Sequence, residues 1–505
     1  MISDLDPSIV RQSMLQYKQE VETIDREIDN HNQAIQLLLL LKEKRLADIQ
    51  VCKERLALAS RLPTEVLVHI FEEYVLDDML DVQSLKRGPL VLSHVCCRWR
   101  RVASLPALWS YIHGDLLITS HPKELIQMWL NKSHPTPLTI NIMLLSHLKG
   151  FVLHPAMGAI LDEMPRWKHL RLKGRNPGII NAFLAACVKP APQLRTIDLT
   201  VEHTIDPGEQ WQVTNIQKAF MWSPQIKSIR IGGHVVPVSD SLPTSLTHFI
   251  LVLPYQIFSH PQYYQSLLSL VTLLKTLPNL QTLTVEVPLS YLTDFLLDAD
   301  HMKPIELVNL TSLTLSGPGD IVGLLPRIRA PSLQRLTVSG SIAAAVNANT
   351  GQWLLHLLQD SSPPLSHLAL VDLTIDDTTY IQLLALLPRL QYLGIHDSDI
   401  SDIVFQRLYG PTCLCRSLQR LDLRWCQKLS GNVIVDVVRS RSSSVGNGID
   451  GTIRPSPISE LTIIHCGLIV KDHTSILQGL TTCRNRRRKH DDLCSQSLEM
   501  LRNVK

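Results

Sequence analysis

One short apolar pattern recurs along residues 165–480 of this 505-residue chain and constrains its fold more than any other feature. In each copy an apolar residue is followed by two residues, a second apolar residue, one residue and a third apolar residue. The last two anchors are two residues apart, so they lie on one face of a β-strand. The series is Trp167/Leu170/Leu172, Leu194/Ile197/Leu199, Ile226/Ile229/Ile231, Leu246/Phe249/Leu251, Leu280/Leu283/Val285, Leu310/Leu313/Leu315, Leu333/Leu336/Val338, Leu365/Leu368/Leu370, Leu390/Leu393/Ile395, Leu418/Leu421/Leu423 and Ile458/Leu461/Ile463.

Repetition at this period predicts a solenoid of stacked units. The first anchors are about 29 residues apart on average, which is room for one strand and usually one helix. Helical candidates lie between the strands at 182–188, 266–277, 352–360 and 380–387. Aromatic residues make up only 5% of the chain, so the core is aliphatic. One copy of the pattern would be weak evidence, but eleven in series are typical of a leucine-rich-repeat solenoid, or horseshoe.

The first 58 residues are predicted to form an amphipathic helix or coiled coil. Residues 14–58 contain no proline or glycine, and their apolar residues follow heptad spacing. The apolar positions are Val21, Ile24, Ile28, Ile35, Leu38, Ile49, Cys52 and Leu56. Polar residues also fall on this face, at His31, Lys42 and Arg45. The helix either folds back on the next domain or mediates self-association through residues 14–58.

Residues 60–115 are predicted to form a small helical domain. Pro63 stands at a helix start, where its missing N–H is tolerated. Two apolar stripes at helical spacing follow, and we expect each to belong to one helix. They are Leu67/Ile70/Phe71/Tyr74 and Leu92/Val95/Cys96/Trp99/Val102. Residues 116–164 carry no repeat signature and are interpreted as a connecting region before the solenoid at 165–480.

The segments 62–71 (LPTEVLVHIF), 90–103 (LVLSHVCCRWRRVA) and 105–112 (LPALWSYI) resemble the F-box. An F-box followed by leucine-rich repeats is a known pairing, and a coiled-coil lead is similar to the large F-box sets of mushroom-forming fungi. The resemblance implies docking on a Skp-type subunit of an SCF ubiquitin ligase. The residues expected to contact that adaptor are Leu62, Pro63, Val66, Leu67, Ile70, Phe71, Leu92, Val95, Cys96, Trp99, Leu108 and Trp109. Here the two motif helices are unusually far apart, with an insert at 75–89.

The expected function is therefore substrate recognition for such a ligase, with the repeats binding an unknown protein substrate. The alternative is a leucine-rich-repeat interaction scaffold with a degenerate F-box and no role in ubiquitination. No nucleophile elbow, phosphate-binding loop or HExxH motif is present, so we predict no catalytic residue and no enzyme activity. Catalysis in such a ligase belongs to its other subunits.

Charge and cysteine usage exclude several other classes of protein. The net charge is +3, which gives no field to attract nucleic acid or an anionic membrane. The ten cysteines form no pair of CxxC motifs, which argues against a metal site and for reduced thiols. No cofactor is predicted. No apolar run is long enough to span a membrane, so we expect a cytoplasmic or nuclear location.

A candidate substrate site lies late in the repeats. Residues between the anchors of a strand point to its opposite face. Near residue 400 that face combines aromatic side chains with arginine, the residue types enriched in binding hot spots. The candidate residues are Tyr392, His396, Arg420, Asp422, Arg424 and Trp425. Residues 440–457 are interpreted as a disordered loop and residues 481–505 as a basic tail.

Overall fold

The computed structural model describes most of the chain as two compact units, Met1–Leu108 and Trp109–Lys505. The described residues are 7–56, 61–77, 88–113, 121–144, 156–174, 177–201, 216–233, 237, 242–253, 269–287, 304–317, 319–340, 350–410, 412–442 and 455–486. Most of the insert at 75–89 and of the loop at 440–457 therefore lies outside the described residues. No helix among the described residues is long and apolar enough to cross a membrane.

A single helix, α1 (Pro7–Leu56), occupies 50 residues at the start of the first unit. The sequence explains its length, because neither glycine nor an internal proline interrupts it. Its aliphatic side chains are exposed, including Ile24, Ile28 and Ile35, each at least half accessible. The helix is thus an amphipathic element whose apolar face no described residue of the chain covers.

Three short helices complete the first unit: α2 (Thr64–Asp77), α3 (Gly88–Ser93) and α4 (Cys97–Ala103), followed by a 3₁₀ turn at Pro106–Trp109. As predicted, α2 begins just after Pro63, whose carbonyl accepts a hydrogen bond from the Leu67 amide at 3.1 Å. Leu67, Phe71 and Val75 lie on its buried face at i, i+4 and i+8.

The second apolar stripe does not form one helix, contrary to the sequence prediction. The chain breaks between α3 and α4, and Cys96 adopts an extended backbone with φ −159° and ψ 172°. The Cys96 sulfur accepts a hydrogen bond from the Trp99 amide at 3.4 Å, which caps α4. Nε of Arg100 donates a hydrogen bond to the Ser93 carbonyl at the end of α3, at 3.0 Å. Cys96 is therefore a helix cap and not the buried hydrophobic residue that the 3.6-residue period predicts.

Within the described residues of the second unit, fourteen strands form one parallel sheet in sequence order, and β8 and β10 pair separately. The strands are β1 (Tyr111–His113), β2 (Leu138–Leu144), β3 (Trp167–Gly174), β4 (Thr196–Val201), β5 (Ser228–Gly232), β6 (His248–Val252), β7 (Thr282–Glu286), β8 (Ile305–Glu306), β9 (Ser312–Ser316), β10 (Ile328–Arg329), β11 (Arg335–Ser339), β12 (His367–Val371), β13 (Tyr392–His396), β14 (Arg420–Arg424), β15 (Glu460–Ile464) and β16 (Thr482–Arg486).

Helices and 3₁₀ turns connect many of these strands. The helices are α5 (Pro122–Ser133), α6 (Met157–Asp162), α7 (Pro177–Ala186), α8 (Ile216–Phe220), α9 (Gly319–Val322), α10 (Thr350–Ser361), α11 (Asp377–Ala385), α12 (Asp402–Gln406), α13 (Gly431–Ser442) and α14 (Lys471–Leu480). Residues 269–275 are also helical. One strand per repeat in consecutive parallel order is the architecture of a leucine-rich-repeat solenoid, so the predicted fold class is confirmed.

Equivalent anchors stack in register through the solenoid. Leu368 aligns with Leu393, and Leu393 aligns with Leu421. Every anchor of the eleven predicted copies is at most 2% exposed. The residues between the last two anchors of each strand lie on the opposite face of the sheet, which the helices leave open. A candidate binding surface is thus a set of strand positions repeated across neighbouring units.

The turn that leaves each strand is also repeated. The residue after the strand has positive φ in six units: Gly233, Gly317, Asp372, Asp397, Trp425 and His465. In the first five its amide bonds to the last carbonyl of the next strand, as Asp397 does to Arg424 at 2.8 Å. A Cβ on Gly233 would lie 2.5 Å from the Val201 carbonyl oxygen, so glycine is required there.

The solenoid is longer than the predicted span of 165–480. Two strands, β1 and β2, already belong to the sheet although they fall in the regions interpreted as helical domain and connection. The sequence pattern missed β2 because its buried residues alternate strictly from Leu138 to Leu144, without the repeat signature. The predicted basic tail also begins inside the sheet, since β16 pairs with β15. Residues 487–505 lie outside the described residues.

A buried arginine holds together the turns near the C-terminal end of the solenoid. Arg441, on α13, is 0% exposed. Its Nε donates to the Leu408 carbonyl at 3.0 Å, and its Nη2 donates to the Leu414 carbonyl at 3.0 Å. The same guanidinium reaches the carbonyls of Cys415 at 3.2 Å and Leu418 at 3.4 Å. One side chain thereby donates hydrogen bonds to backbone carbonyls of an irregular segment that belongs to no helix or strand.

Candidate protein-binding surfaces

The helical unit exposes an apolar set of side chains on elements that pack together. Val66 and Ile70, one turn apart on α2, are 43% and 45% exposed. Val91 on α3 and Val95 in the break after it are 50% and 56% exposed, and Leu105 is 39% exposed. We call these five residues the apolar patch. Several such side chains on one small domain are typical of a protein-docking surface.

Three of the predicted adaptor contacts are buried in the core of this unit. Leu67, Phe71 and Leu92 are at most 5% exposed. The Trp99 ring, which is partly buried, meets the Phe71 ring edge to face, with centroids 4.9 Å apart. Leu108 is also buried. These buried side chains stabilise the domain.

The other predicted adaptor contacts have separate environments. Pro63 is exposed and Leu62 is partly buried, and the Leu62 carbonyl accepts a hydrogen bond from the Arg98 guanidinium. Trp109 belongs to the second unit and is 1% exposed. Its ring meets the Trp129 ring edge to face at 4.7 Å, and Nζ of Lys132 lies 4.7 Å from its centroid. Trp109 therefore packs at the N-terminal end of the solenoid.

On the open face of the sheet, Asp422 joins three other predicted substrate contacts, Tyr392, His396 and Arg424, into one cluster. Its carboxylate accepts two hydrogen bonds from the Arg424 guanidinium, both at 2.9 Å. The Tyr392 hydroxyl donates to Oδ2 at 3.3 Å, and Nε2 of His396 lies 3.5 Å from Oδ1. Arg420 extends from the same strand and is exposed. We call these five residues the Asp422 cluster.

The charge state of this cluster follows from its contacts. Burial raises the pKa of the Asp422 carboxyl, but His396 and Arg424 lower it further, so that pKa lies well below its ordinary value. Burial, and then the negative charge of Asp422, raise the pKa of Tyr392 to about 12. At neutral pH the cluster therefore holds an ionised carboxylate that is already neutralised by Arg424.

The Tyr392 ring lies flat along the open face. It stacks on His367 of the preceding strand, with ring centroids 3.9 Å apart and planes 3° from parallel. It also covers Gly394, where an added Cβ would lie 3.0 Å from the Tyr392 hydroxyl oxygen. A side chain at position 394 would push the ring away from the sheet. The sequence pattern does not identify His367, because only the strand register places it beside Tyr392. Gly394 was not among the predicted contacts, although it lies two residues after Tyr392 on the same strand.

Two arginines flank the stacked rings. Arg335, His367, Tyr392 and Arg420 occupy equivalent positions on four consecutive strands, β11 to β14. Burial, and then the positive charges of Arg335 and Arg420, lower the pKa of His367, so its ring is neutral at pH 7. Both arginines are exposed, and neither is within ion-pair distance of a carboxylate among the described residues. Glu460 is next in the row and is also exposed.

The remaining predicted contact, Trp425, lies at the strand-leaving turn and not on the strand. Its φ is +53°, and its ring stacks on His465 of the next unit at 5.3 Å. At the N-terminal end of the sheet a carboxylate lies between two arginines, since Asp198 is 3.3 Å from Arg171 and 3.9 Å from Arg230. Arg171 and Arg230 thus differ from Arg335 and Arg420, which have no carboxylate within ion-pair distance among the described residues of the sheet. In that described part, no group of three or more potential ligands is placed to hold a metal ion.

The helical unit can now be compared with known families. Residues 59–114 match the F-box-like family. The matched residues contain α2, α3, α4 and the apolar patch, and they extend through β1. The matched residues therefore include both the long insert after α2 and the break between α3 and α4.

The comparison with solved structures gives a match to the crystal structure of a TLR13–ssRNA13 complex, at 14% sequence identity and a TM-score of 0.32. The match covers 73% of this chain and 52% of that chain, so this chain spans about half the length of that protein. No curated protein matches the sequence.

Proposed function

We propose that this chain is the substrate-recognition adaptor of an SCF-type ubiquitin ligase. The observation that carries the proposal is the apolar patch on the F-box-like domain, where Val66 and Ile70 are exposed above a packed core. A Skp-type subunit covers this patch, and the repeats hold the protein that is to be modified. The chain itself supplies no catalytic residue, and it acts in the cytosol or nucleus with the ligase.

The bound protein contacts the open sheet face at the Asp422 cluster and at the row Arg335–His367–Tyr392–Arg420. Neighbouring strands in a sheet are about 4.8 Å apart. The row therefore places the two stacked rings side by side, with one arginine at each end. Arginine and tyrosine on a rigid surface are favoured anchors in protein interfaces. Because Asp422 is neutralised by Arg424, the excess charge here is positive, which favours an acidic segment of the substrate.

Replacing Arg420 or Arg335 with glutamate should weaken binding of an acidic peptide about tenfold. The measurement is fluorescence anisotropy of the full chain with a labelled oligoglutamate peptide, with oligoglutamine and oligolysine of the same length for comparison. Arg389→Glu is the matched control, because Arg389 is exposed but precedes the strand. Equal affinity for all three peptides would refute the acidic ligand while leaving Skp docking to be judged by its own test.

A further inference from the structure

The heptad pattern of α1 continues without interruption over most of the helix. Two sets of positions repeat every seven residues and alternate at spacings of four and three, which places them along one stripe. The first set is Met14, Val21, Ile28, Ile35, Lys42 and Ile49. The second set is Val10, Tyr17, Ile24, His31, Leu38, Arg45 and Cys52. We call these thirteen positions the heptad seam.

Among the residues that the structure describes, none covers the heptad seam. All of its side chains are exposed, and its apolar members are each about half accessible or more, from 50% at Ile28 to 64% at Tyr17. A helix of 50 residues is about 75 Å long, so the seam is too extended for a small domain to cover. A heptad seam of this length is matched geometrically by a second long helix with the same repeat.

Charge is distributed unevenly along α1. Residues 20–29 carry five carboxylates, Glu20, Glu22, Asp25, Glu27 and Asp29, against one arginine. Residues 42–45 carry three cations, Lys42, Lys44 and Arg45, against one glutamate. Two of these cations, Lys42 and Arg45, lie in the heptad seam itself, and Arg45 makes a 3.3 Å ion pair with Asp48 on its own helix. The two halves of the helix are thus complementary in charge to each other.

This asymmetry decides how two copies would pair. A parallel pair in register places Lys42 against Lys42, Arg45 against Arg45, and the acidic segment against itself. An antiparallel pair with Met14 opposite Cys52 places Arg45 opposite Val21 and Lys42 opposite Ile24, so both cations lie among the acidic residues of the second copy. Like charges across an interface are unfavourable, and opposite charges fix orientation and register.

From this we infer that α1 is a self-association element, in which two copies of the chain pair antiparallel along the heptad seam. The interface is independent of the ligase assignment, because it uses neither the apolar patch nor the open sheet face. It gives an assembly with two F-box-like domains and two solenoids.

Cys52 provides a test of both pairing and direction in the full chain. In a Cys97→Ser background, which removes another exposed thiol, light scattering should give the mass of a dimer. Mild oxidation with diamide should then leave Cys52 uncrosslinked, because it faces Met14. Met14→Cys should produce a covalent dimer, and Met14→Cys combined with Cys52→Ser should abolish it. A monomeric mass would overturn the proposal. So would a covalent dimer of the Cys97→Ser chain that Cys52→Ser abolishes, because it would place Cys52 opposite Cys52.

A charge reversal adds a second readout. Lys42→Glu places a carboxylate of the seam among the acidic residues of the other copy, so the dimer dissociation constant should rise about tenfold. Lys44→Glu makes the same charge change outside the seam and should alter the constant by less than about threefold. Sedimentation velocity at several concentrations measures both. An equal effect of the two substitutions would contradict pairing through the heptad seam.

Discussion

Ile70→Asp is expected to reduce binding of the full chain to a Skp-type subunit by about 30- to 100-fold. Burying one large aliphatic side chain contributes about 2–3 kcal/mol, and a carboxylate in its place would be desolvated without a partner. Since Ile70 is 45% exposed, the substitution should leave the fold intact, which circular dichroism checks. Isothermal titration calorimetry with the purified subunit gives the affinity.

Val188→Asp is the matched control for this experiment. Val188 is an aliphatic side chain of the second unit with 81% exposure, and its substitution should not change Skp affinity. Leu67→Asp is a poor test by comparison, since Leu67 is 1% exposed and its loss would unfold the domain. If Ile70→Asp binds as tightly as the unsubstituted chain, the apolar patch is not the docking surface. If the unsubstituted chain does not bind, the adaptor function itself is refuted.

Arg441→Met is expected to destabilise the C-terminal part of the solenoid by about 3–4 kcal/mol. The substitution keeps an apolar stem but removes the arginine donor from the carbonyls of Leu408, Leu414 and Leu418. The Cys415 carbonyl loses the same donor but keeps a hydrogen bond from the Leu418 amide. Urea denaturation followed by circular dichroism measures the loss. Hydrogen exchange should rise mainly in residues 402–442, because the guanidinium connects α13 to the segment that precedes β14.

Arg439→Met provides the comparison on the same helix. Arg439 is exposed, so its substitution should change the free energy of unfolding by no more than about 0.5 kcal/mol. Arg441→Lys should fall between the two, since one ammonium cannot reach all four carbonyls at once. Equal stability of Arg439→Met and Arg441→Met would show that the buried hydrogen bonds contribute nothing.

Some residues of the candidate sites follow from the sequence pattern, and others follow only from the register between strands. The sequence correctly predicts that Tyr392, His396 and Asp422 share the open face, because strand alternation is a local property. It does not reveal His367 or Arg335, because each is paired across the sheet with a residue 25 or more positions away. In the helical unit, the 3.6-residue period identifies the apolar residues but does not distinguish those that are buried in the core from those that are exposed.

Sequence alone determined the solenoid, because every repeat carries its own anchors and a local period of apolar residues fixes which face of each strand is buried. It also determined the long helix, whose heptad spacing needs no partner to be recognised. Only the tertiary structure decided the break at Cys96 and the membership of β1 and β2 in the sheet. The break is stabilised by side-chain hydrogen bonds, from the Trp99 amide to the Cys96 sulfur and from Arg100 to the Ser93 carbonyl, which a period of apolar residues does not encode. The place of β2 in the sheet depends on its pairing with β3, a segment distant in the chain.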